Sequence, residues 1–140
     1  MSDLYDTDVL TWSERQTALL RRVAAGERVN DPDLDWPNII EEVQSVGRSD
    51  LDAVESWLTQ AFLHDLKAEA WPSSREVAHW RAEARLFRRQ AKRRFTESMR
   101  WRIDLAGLYS DALAGLPESM DGQAPLPVAP TCAVTLDELL

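Results

Sequence analysis

The sequence predicts an all-α fold, a single-domain antiparallel bundle of about four helices with a proline-rich C-terminal arm and a short terminal helix. Apolar residues recur at helical spacing almost throughout, and no stretch keeps the two-residue period of a strand for long. Four of the seven prolines follow residue 116, where they exclude regular structure. With 140 residues, 44% of them apolar, the chain is the size of one domain. We expect residues 1–116 to form the bundle and residues 117–140 the arm.

The first two predicted helices are marked by residues that cap or begin a helix. The first helix starts near Asp6 to Asp8, whose short carboxylates can accept hydrogen bonds from free backbone amides, and it ends at Gly26. After a loop, Asp35 or its neighbour caps the second helix. Pro37 then occupies the first turn, where a missing N–H costs nothing.

The apolar stripe of the second helix crosses Gly47 without a change of phase. Steps of three and four residues connect Ile40, Val43, Gly47, Leu51, Val54, Leu58 and Ala61 or Phe62. This pattern predicts one helix from about Pro37 to Ala70, with Gly47 facing inward so that another helix can approach closely. The glycine would cost about 1 kcal/mol in helix propensity. A break at Gly47, with Ser49-Asp50 as a new cap, is the alternative.

The third and fourth predicted helices follow a proline. Trp71-Pro72 ends the long helix, and Ser73 with Glu76 forms a capping box for the next one. The apolar stripe of this third helix is Val77, Trp80, Ala84, Phe87, Ala91 and Phe95. A fourth helix is predicted from about Met99 to Leu113.

The C-terminal arm ends in a second predicted capping box. Thr135 and Glu138 have the required spacing, and the turn that they cap carries Leu136, Leu139 and Leu140. We expect these leucines to dock on the bundle. A disordered tail is the alternative interpretation.

The net charge of −8 conceals three segments of different sign. Residues 1–70 carry 6 Lys and Arg against 15 Asp and Glu, residues 71–103 carry 10 against 3, and residues 104–140 carry 0 against 6, which gives −9, +7 and −6. No run of about 20 apolar residues is present, and the start lacks the basic and apolar regions of a signal peptide. We therefore expect no membrane span and a cytoplasmic location.

Most kinds of catalytic site have little support in the sequence. The single cysteine, Cys132, excludes an intramolecular disulfide and a zinc site of several thiolates, and the five glycines are too scattered for a phosphate-binding loop. Adjacent carboxylates such as Glu41 and Glu42 point about 100° apart on a helix, which is poor geometry for one metal ion. His64-Asp65 suggests a metal phosphohydrolase, but the other histidine lies downstream rather than upstream. We predict no catalytic residue, cofactor or metal.

A polar network is nevertheless predicted on the long helix. His64 and Lys67 are three positions apart on one face, and Glu42 or an arginine of the third helix, such as Arg88, is expected within reach. Glu42, His64, Lys67 and Arg88 are the candidate members. A half-buried histidine with satisfied hydrogen bonds is the simpler interpretation, and a catalytic or switching histidine is the alternative.

The most unusual segment is WRAEARLFRRQAKRRF, residues 80–95. Arg88 lies beside the apolar stripe, so we expect its stem to be packed and its charge paired. The residues predicted to bind a partner are Arg81, Arg85, Arg89, Lys92 and Arg93. The alternative is internal pairing of the basic flank with the acidic second helix.

The order and spacing of several short motifs resemble a family. The motifs are Tyr5, Asp8, Trp12, Gln16, LLR at 19–21, Asp35-Trp36, the glutamates at 41–42, Gly47-Arg48, His64 with Lys67, Trp80 with Arg81, Cys132 and TLDELL. Across nearly the whole chain they resemble the uncharacterised bacterial domain of unknown function family numbered twenty-nine. The resemblance implies an all-helical fold and carries no activity.

Three function classes follow from these observations. The leading hypothesis is a small non-enzymatic helical protein that docks to another macromolecule, an acidic protein in particular. The second is a nucleic-acid-binding protein that uses the basic third helix. The third is a metal-dependent hydrolase with a carboxylate and histidine site. The sequence leaves the oligomeric state open, with a homodimer among the options.

Overall fold

The computed structural model describes residues 4–140, and their fold is all-α, as predicted. Its helices are α1 (Leu4–Thr7), α2 (Val9–Ala24), α3 (Trp36–Ala70), α4 (Val77–Arg94), α5 (Leu105–Ala114) and α6 (Leu136–Leu139). Short 3₁₀ turns cover Asp31–Asp33 and Glu97–Met99. Among the described residues, the pairing of Met120 with Gln123 is an isolated bridge rather than a strand. None of the described helices is long and apolar enough to cross a membrane.

The chain divides into two compact units, one ending at Arg48 and the other running from Ser49 to Leu140. In the first unit, both predicted ends of the first long helix are confirmed. The carboxylate of Asp8 accepts a hydrogen bond from the Thr11 amide at 3.1 Å. At the other end, Gly26 has a φ of +82°, a conformation that glycine adopts without strain.

A set of hydrogen bonds joins α2 to the loop that precedes α3. Trp12 is buried, and its indole Nε1 donates to Asp35 Oδ2 at 2.9 Å. The Gln16 amide spans the same junction, because its oxygen accepts from the Asp35 amide at 2.9 Å and its nitrogen donates to the Asp33 carbonyl at 3.2 Å. Tyr5 packs edge-on against Trp12, with ring centroids 4.8 Å apart. Trp12 and Gln16 of α2 therefore hold the entry to α3.

The long helix is continuous through Gly47, as predicted, but the inward orientation of Gly47 is wrong. Gly47 is exposed, and a Cβ built on it would meet nothing within 4 Å. Ile40 and Val43, predicted to begin a buried stripe, are 55% and 70% exposed. Helical phase shows which side chains share a face, but it does not show whether another element covers that face.

In the second unit, the same stripe becomes the centre of the core. Val54 and Leu58 are fully buried, and Leu66 is nearly so. They pack with residues of α4 and α5 and with the turn between these helices. The buried residues outside α3 are Trp71, Trp80, Ala84, Ala91, Met99, Tyr109 and Ala112.

Two predicted helix starts need correction. The capping box of Ser73 and Glu76 is not formed, because α4 begins at Val77 and the Glu76 amide donates to the Ser74 hydroxyl at 3.1 Å. The helix predicted from Met99 begins later, at Leu105. Met99 is buried in a 3₁₀ turn, and Asp104 caps α5 by accepting from the Gly107 amide at 3.2 Å. Asp104 therefore starts a new helix. The spacing of apolar residues alone could not separate this helix from the 3₁₀ turn before it.

Between the Met120–Gln123 bridge and α6, the C-terminal segment forms no helix or strand, and Val128 and Cys132 pack against buried residues of the second unit. Its backbone makes hydrogen bonds with side chains and the end of α3: Leu126 donates to the Ala70 carbonyl at 2.9 Å, and Tyr109 donates its hydroxyl to the Ala129 carbonyl at 2.7 Å. The capping box of Thr135 and Glu138 is present. Leu136, Leu139 and Leu140 pack against the core cluster that contains Val54 and Leu58.

Candidate functional site

The cations of α4 fall into two groups, and the first group is paired with α3. Arg81 Nη1 donates to Asp65 Oδ1 at 2.8 Å, and Arg88 Nη1 donates to Asp65 Oδ2 at 2.7 Å. One carboxylate thus receives two guanidinium groups from positions two turns apart on α4. Arg94 Nη1 donates to Asp50 Oδ1 at 2.8 Å, and its guanidinium lies 6.0 Å from the Trp57 ring. These contacts are the pairing of the basic helix with the acidic second predicted helix, which was the alternative interpretation of the sequence.

The second group faces solvent. Arg85, Arg89, Lys92 and Arg93 are exposed, and none of them forms an ion pair with a residue in the described range 4–140. Their spacing places them within about 100° of one another around the helix axis, along about 12 Å of its length. We call these four residues the outward cation face. Leu86, which is 48% exposed, borders it.

Arg81 belongs to the predicted partner-binding set, but its geometry differs from that of the other four. Its guanidinium is held by Asp65, although 42% of the side chain remains exposed. Arg88 behaves as predicted, since it is paired with Asp65 and its side chain is only 26% exposed. A partner would therefore meet Arg81 as a cation already paired with Asp65, and the four residues of the outward cation face as cations without an ion pair in the described chain.

Glu42, a predicted member of the polar network, has its partners in the first unit. It accepts a hydrogen bond from the Tyr5 hydroxyl and contacts the Ser45 hydroxyl at 3.4 Å. Because this hydrogen bond and the nearby carboxylate charges favour the neutral phenol, the pKa of Tyr5 is raised to about 12. Glu42 thus serves as an acceptor between α1 and α3.

The other predicted network members lie in the second unit. His64 Nδ1 is 2.7 Å from the Gln60 carbonyl oxygen, which can only accept, so Nδ1 carries the hydrogen. The imidazole also packs on Phe87, with ring centroids 5.3 Å apart. Among residues 4–140, no hydrogen bond or ion pair joins His64, Lys67 and Arg88 to one another. These contacts of His64 agree with the simpler interpretation, a half-buried histidine whose hydrogen bonding is satisfied.

Asp65 is the residue that the sequence reasoning missed. The sequence points to Asp65 only as part of a His-Asp metal pair, whereas its carboxylate binds Arg81 and Arg88 of α4. Two signals in the sequence could have found it. Asp65 is an acid beside the apolar stripe of α3, and α4 carries arginines seven positions apart, Arg81 and Arg88. Two arginines at that spacing lie on one face and can reach one carboxylate.

Trp101 is a second residue that the sequence did not single out, and no pattern in the sequence marks it. It is 88% exposed, although tryptophan is highly buried in most proteins. The turn that carries it is well anchored, because Met99 is buried and Arg100 binds Glu97 at 2.9 Å and Asp137 at 3.0 Å. The indole is therefore displayed by an ordered turn, with the exposed Arg102 beside it.

A groove of about 810 Å³ lies in the first unit, between α2 and the loop before α3. Its walls include Leu19 and Pro37, with Arg15 and Arg22 two turns apart along α2. In the described part of the chain, no group of three or more His, Cys, Asp or Glu side chains is placed to hold a metal ion.

These features define a small all-α protein whose α4 helix pairs one edge with α3 and presents a second, cationic edge to solvent. A family model described as Domain of unknown function DUF29 matches residues 4–140, and the chain belongs to this family. The predicted resemblance is therefore confirmed.

A solved structure extends the comparison of folds. The crystal structure of an alpha-helical protein of unknown function from Rhodospirillum rubrum is similar to this chain, with a TM-score of 0.68 and 26% sequence identity. The match covers 96% of this chain and 87% of the other. No curated protein matches the chain.

Proposed function

We propose that the chain is a non-enzymatic docking protein that binds an acidic protein partner through the outward cation face of α4. The observation that carries this proposal is the division of the α4 cations. Arg81, Arg88 and Arg94 contact carboxylates of α3, whereas Arg85, Arg89, Lys92 and Arg93 have no ion pair within residues 4–140. Under this proposal the protein acts in the bacterial cytoplasm, the location that its sequence predicts.

The residue types and the charge of this face support a protein partner. Arginine is enriched at interface hot spots, and its planar guanidinium can bind a carboxylate with two hydrogen bonds. Leu86 adds an exposed apolar side chain at the edge of the face. The net charge of −8 disfavours approach to a polyanion as large as a nucleic acid, but it permits contact with a local acidic patch.

Nucleic-acid binding is the second candidate, and Trp101 favours it. An exposed indole beside Arg102 can stack on an unpaired base, and such a contact contributes about 1 to 3 kcal/mol. A single-stranded ligand would then contact Trp101 as well as cations of α4. The two candidates differ in the expected dependence on salt, which is steeper for a nucleic acid with many phosphates.

The proposal is tested with two defined probes. One is a helical peptide with glutamates along one face, and the other is a single-stranded RNA oligonucleotide. We expect wild-type protein to bind the peptide and the Arg89→Glu/Arg93→Glu variant to bind it at least about ten-fold more weakly. The matched control, Arg21→Glu/Arg28→Glu, makes the same charge change outside α4 and should bind within about two-fold of wild type.

Each other outcome has a definite meaning. Equal peptide binding by wild type and the α4 variant would contradict the proposal. Tighter binding of the RNA, lost on Trp101→Ala, would replace it with nucleic-acid recognition. Equal weakening by both charge reversals would show that only the net charge matters and that the outward cation face is not a site.

A further inference from the structure

The first turns of α3 carry an apolar face that is open to solvent. Trp36, Ile40 and Val43 are 42%, 55% and 70% exposed, and Gly47 follows at the same face with nothing near it. The steps between these residues are four, three and four. This is the spacing with which one helix packs along another in a coiled coil. We call these four residues the α3 seam.

The sizes of the side chains along the α3 seam are self-complementary. When two copies of the helix run antiparallel about an axis midway between Ile40 and Val43, each Ile40 lies level with Val43 of the other copy. The same register brings Trp36 level with Gly47. Trp36, the largest side chain of the seam, then faces Gly47, which has no side chain. A Cβ built on Gly47 would meet nothing within 4 Å, so there is room for the indole. A two-fold interface requires this self-complementarity.

The positions beside the seam also suit a second copy of the chain. The flanking residues that would meet in this register are Pro37, Ile39, Gln44 and Val46, and none of them carries a charge. Val46 is 68% exposed and would lie near Ile39 of the other copy. The acidic chains can therefore approach along this face without opposing like charges in the contact.

We propose that two copies of this chain associate through the α3 seam as an antiparallel helix pair, with Trp36 of each copy seated on Gly47 of the other. The α3 seam offers only three side chains, of which Trp36 is the largest, so the area that it can bury lies below the usual size of a stable interface, about 1,200 to 2,000 Å². The pair should therefore form and dissociate with concentration.

Sedimentation equilibrium of the full chain tests the association. We expect wild-type protein to pass from monomer to dimer between low micromolar and near-millimolar concentration. Val43→Glu should weaken the dimer at least about ten-fold, because it buries an unpaired charge in the seam. The control Leu10→Glu changes a residue of similar exposure on α2 and should leave the association unchanged. A wild-type monomer throughout, or equal effects of the two variants, would overturn the proposal.

The register is tested by cross-linking in a Cys132→Ser background. Protein with Trp36→Cys is mixed with protein carrying Gly47→Cys and treated with a short bifunctional maleimide. An antiparallel pair predicts heterodimer formation between the two variants. It also predicts that Trp36→Cys alone does not cross-link, because the two copies of residue 36 lie about 16 Å apart along the axis. Efficient cross-linking of Trp36→Cys with itself would show a parallel pair and overturn the register.

Discussion

Arg88 Nη1 donates to Asp65 Oδ2 at 2.7 Å, joining α4 to α3 across 23 positions of sequence. The other oxygen of Asp65 accepts from Arg81 at 2.8 Å, so one carboxylate pairs with two cations of the basic helix. This relationship separates structural arginines from those available to a partner.

The pairing with Asp65 should contribute to stability. Asp65→Asn leaves Arg81 and Arg88 without their carboxylate, and we expect it to lower the free energy of unfolding by about 1 to 2 kcal/mol. Chemical denaturation measures the loss. The control Asp52→Asn removes an exposed acid of the same helix and should change stability by less than about 0.5 kcal/mol.

A double-mutant cycle separates the pair from other effects of the substitution. Arg88→Ala should also lower stability, through lost packing of its stem and lost charge pairing. We expect the Asp65→Asn and Arg88→Ala effects to couple by about 0.5 to 1 kcal/mol. Strict additivity would show that the contact contributes nothing.

Gly47 should tolerate larger residues. Because it is an exposed position within a helix and has no neighbour within 4 Å, Gly47→Ala should raise the free energy of unfolding by about 0.5 to 1 kcal/mol at low protein concentration. The sequence predicted a packed glycine, for which a large side chain would be destabilising. A loss of stability in both Gly47→Ala and Gly47→Leu would restore that prediction.

The Tyr5 hydroxyl should lose its proton at a higher pH than an ordinary tyrosine. Its pKa is raised to about 12 chiefly by the hydrogen bond to Glu42. Since the folded-state pKa lies above the unfolded value of about 10, this contact stabilises fully below pH 10 and its contribution is lost as pH rises toward 12. In a Tyr109→Phe background, ultraviolet absorbance of tyrosinate should show the midpoint moving down toward 10 on Glu42→Gln. An unchanged midpoint would contradict the contact.

The terminal helix should contribute to the core of the second unit. Leu139 packs with residues of two core clusters, and Leu139→Ala should lower the free energy of unfolding by about 1 to 3 kcal/mol. Leu126→Ala is the control, because Leu126 is 54% exposed. Equal, small effects of the two substitutions in thermal melts would mean that the terminal leucines are not docked in solution.

Several local features of the fold were predictable because nearby residues determine them, although the equally local capping box of Ser73 and Glu76 did not form. Trp71-Pro72 ends α3, Gly26 ends α2, and Thr135 with Glu138 caps α6. Each depends on backbone groups within a few positions, so the sequence displays the whole interaction.

Features that depend on distant residues were not predictable in the same way. The phase of α3 placed Ile40 and Gly47 on one face but could not show that this face is open. The pairing of Asp65 with Arg81 and Arg88 required knowledge of how α4 lies on α3. For the candidate site, the sequence identified the cationic helix. Only the structure showed which of its cations are paired with α3 and which are exposed without an ion pair in the described chain.

The stability of two charge reversals on α4 tests that division most directly. We predict that Arg89→Glu/Arg93→Glu changes the free energy of unfolding by less than about 0.5 kcal/mol, because both side chains are exposed and lack an ion pair in the described chain. Arg81→Glu/Arg88→Glu, which sets two carboxylates against Asp65, should lose about 2 kcal/mol or more. Equal losses for the two variants, or unfolding of the Arg89→Glu/Arg93→Glu protein, would contradict the account.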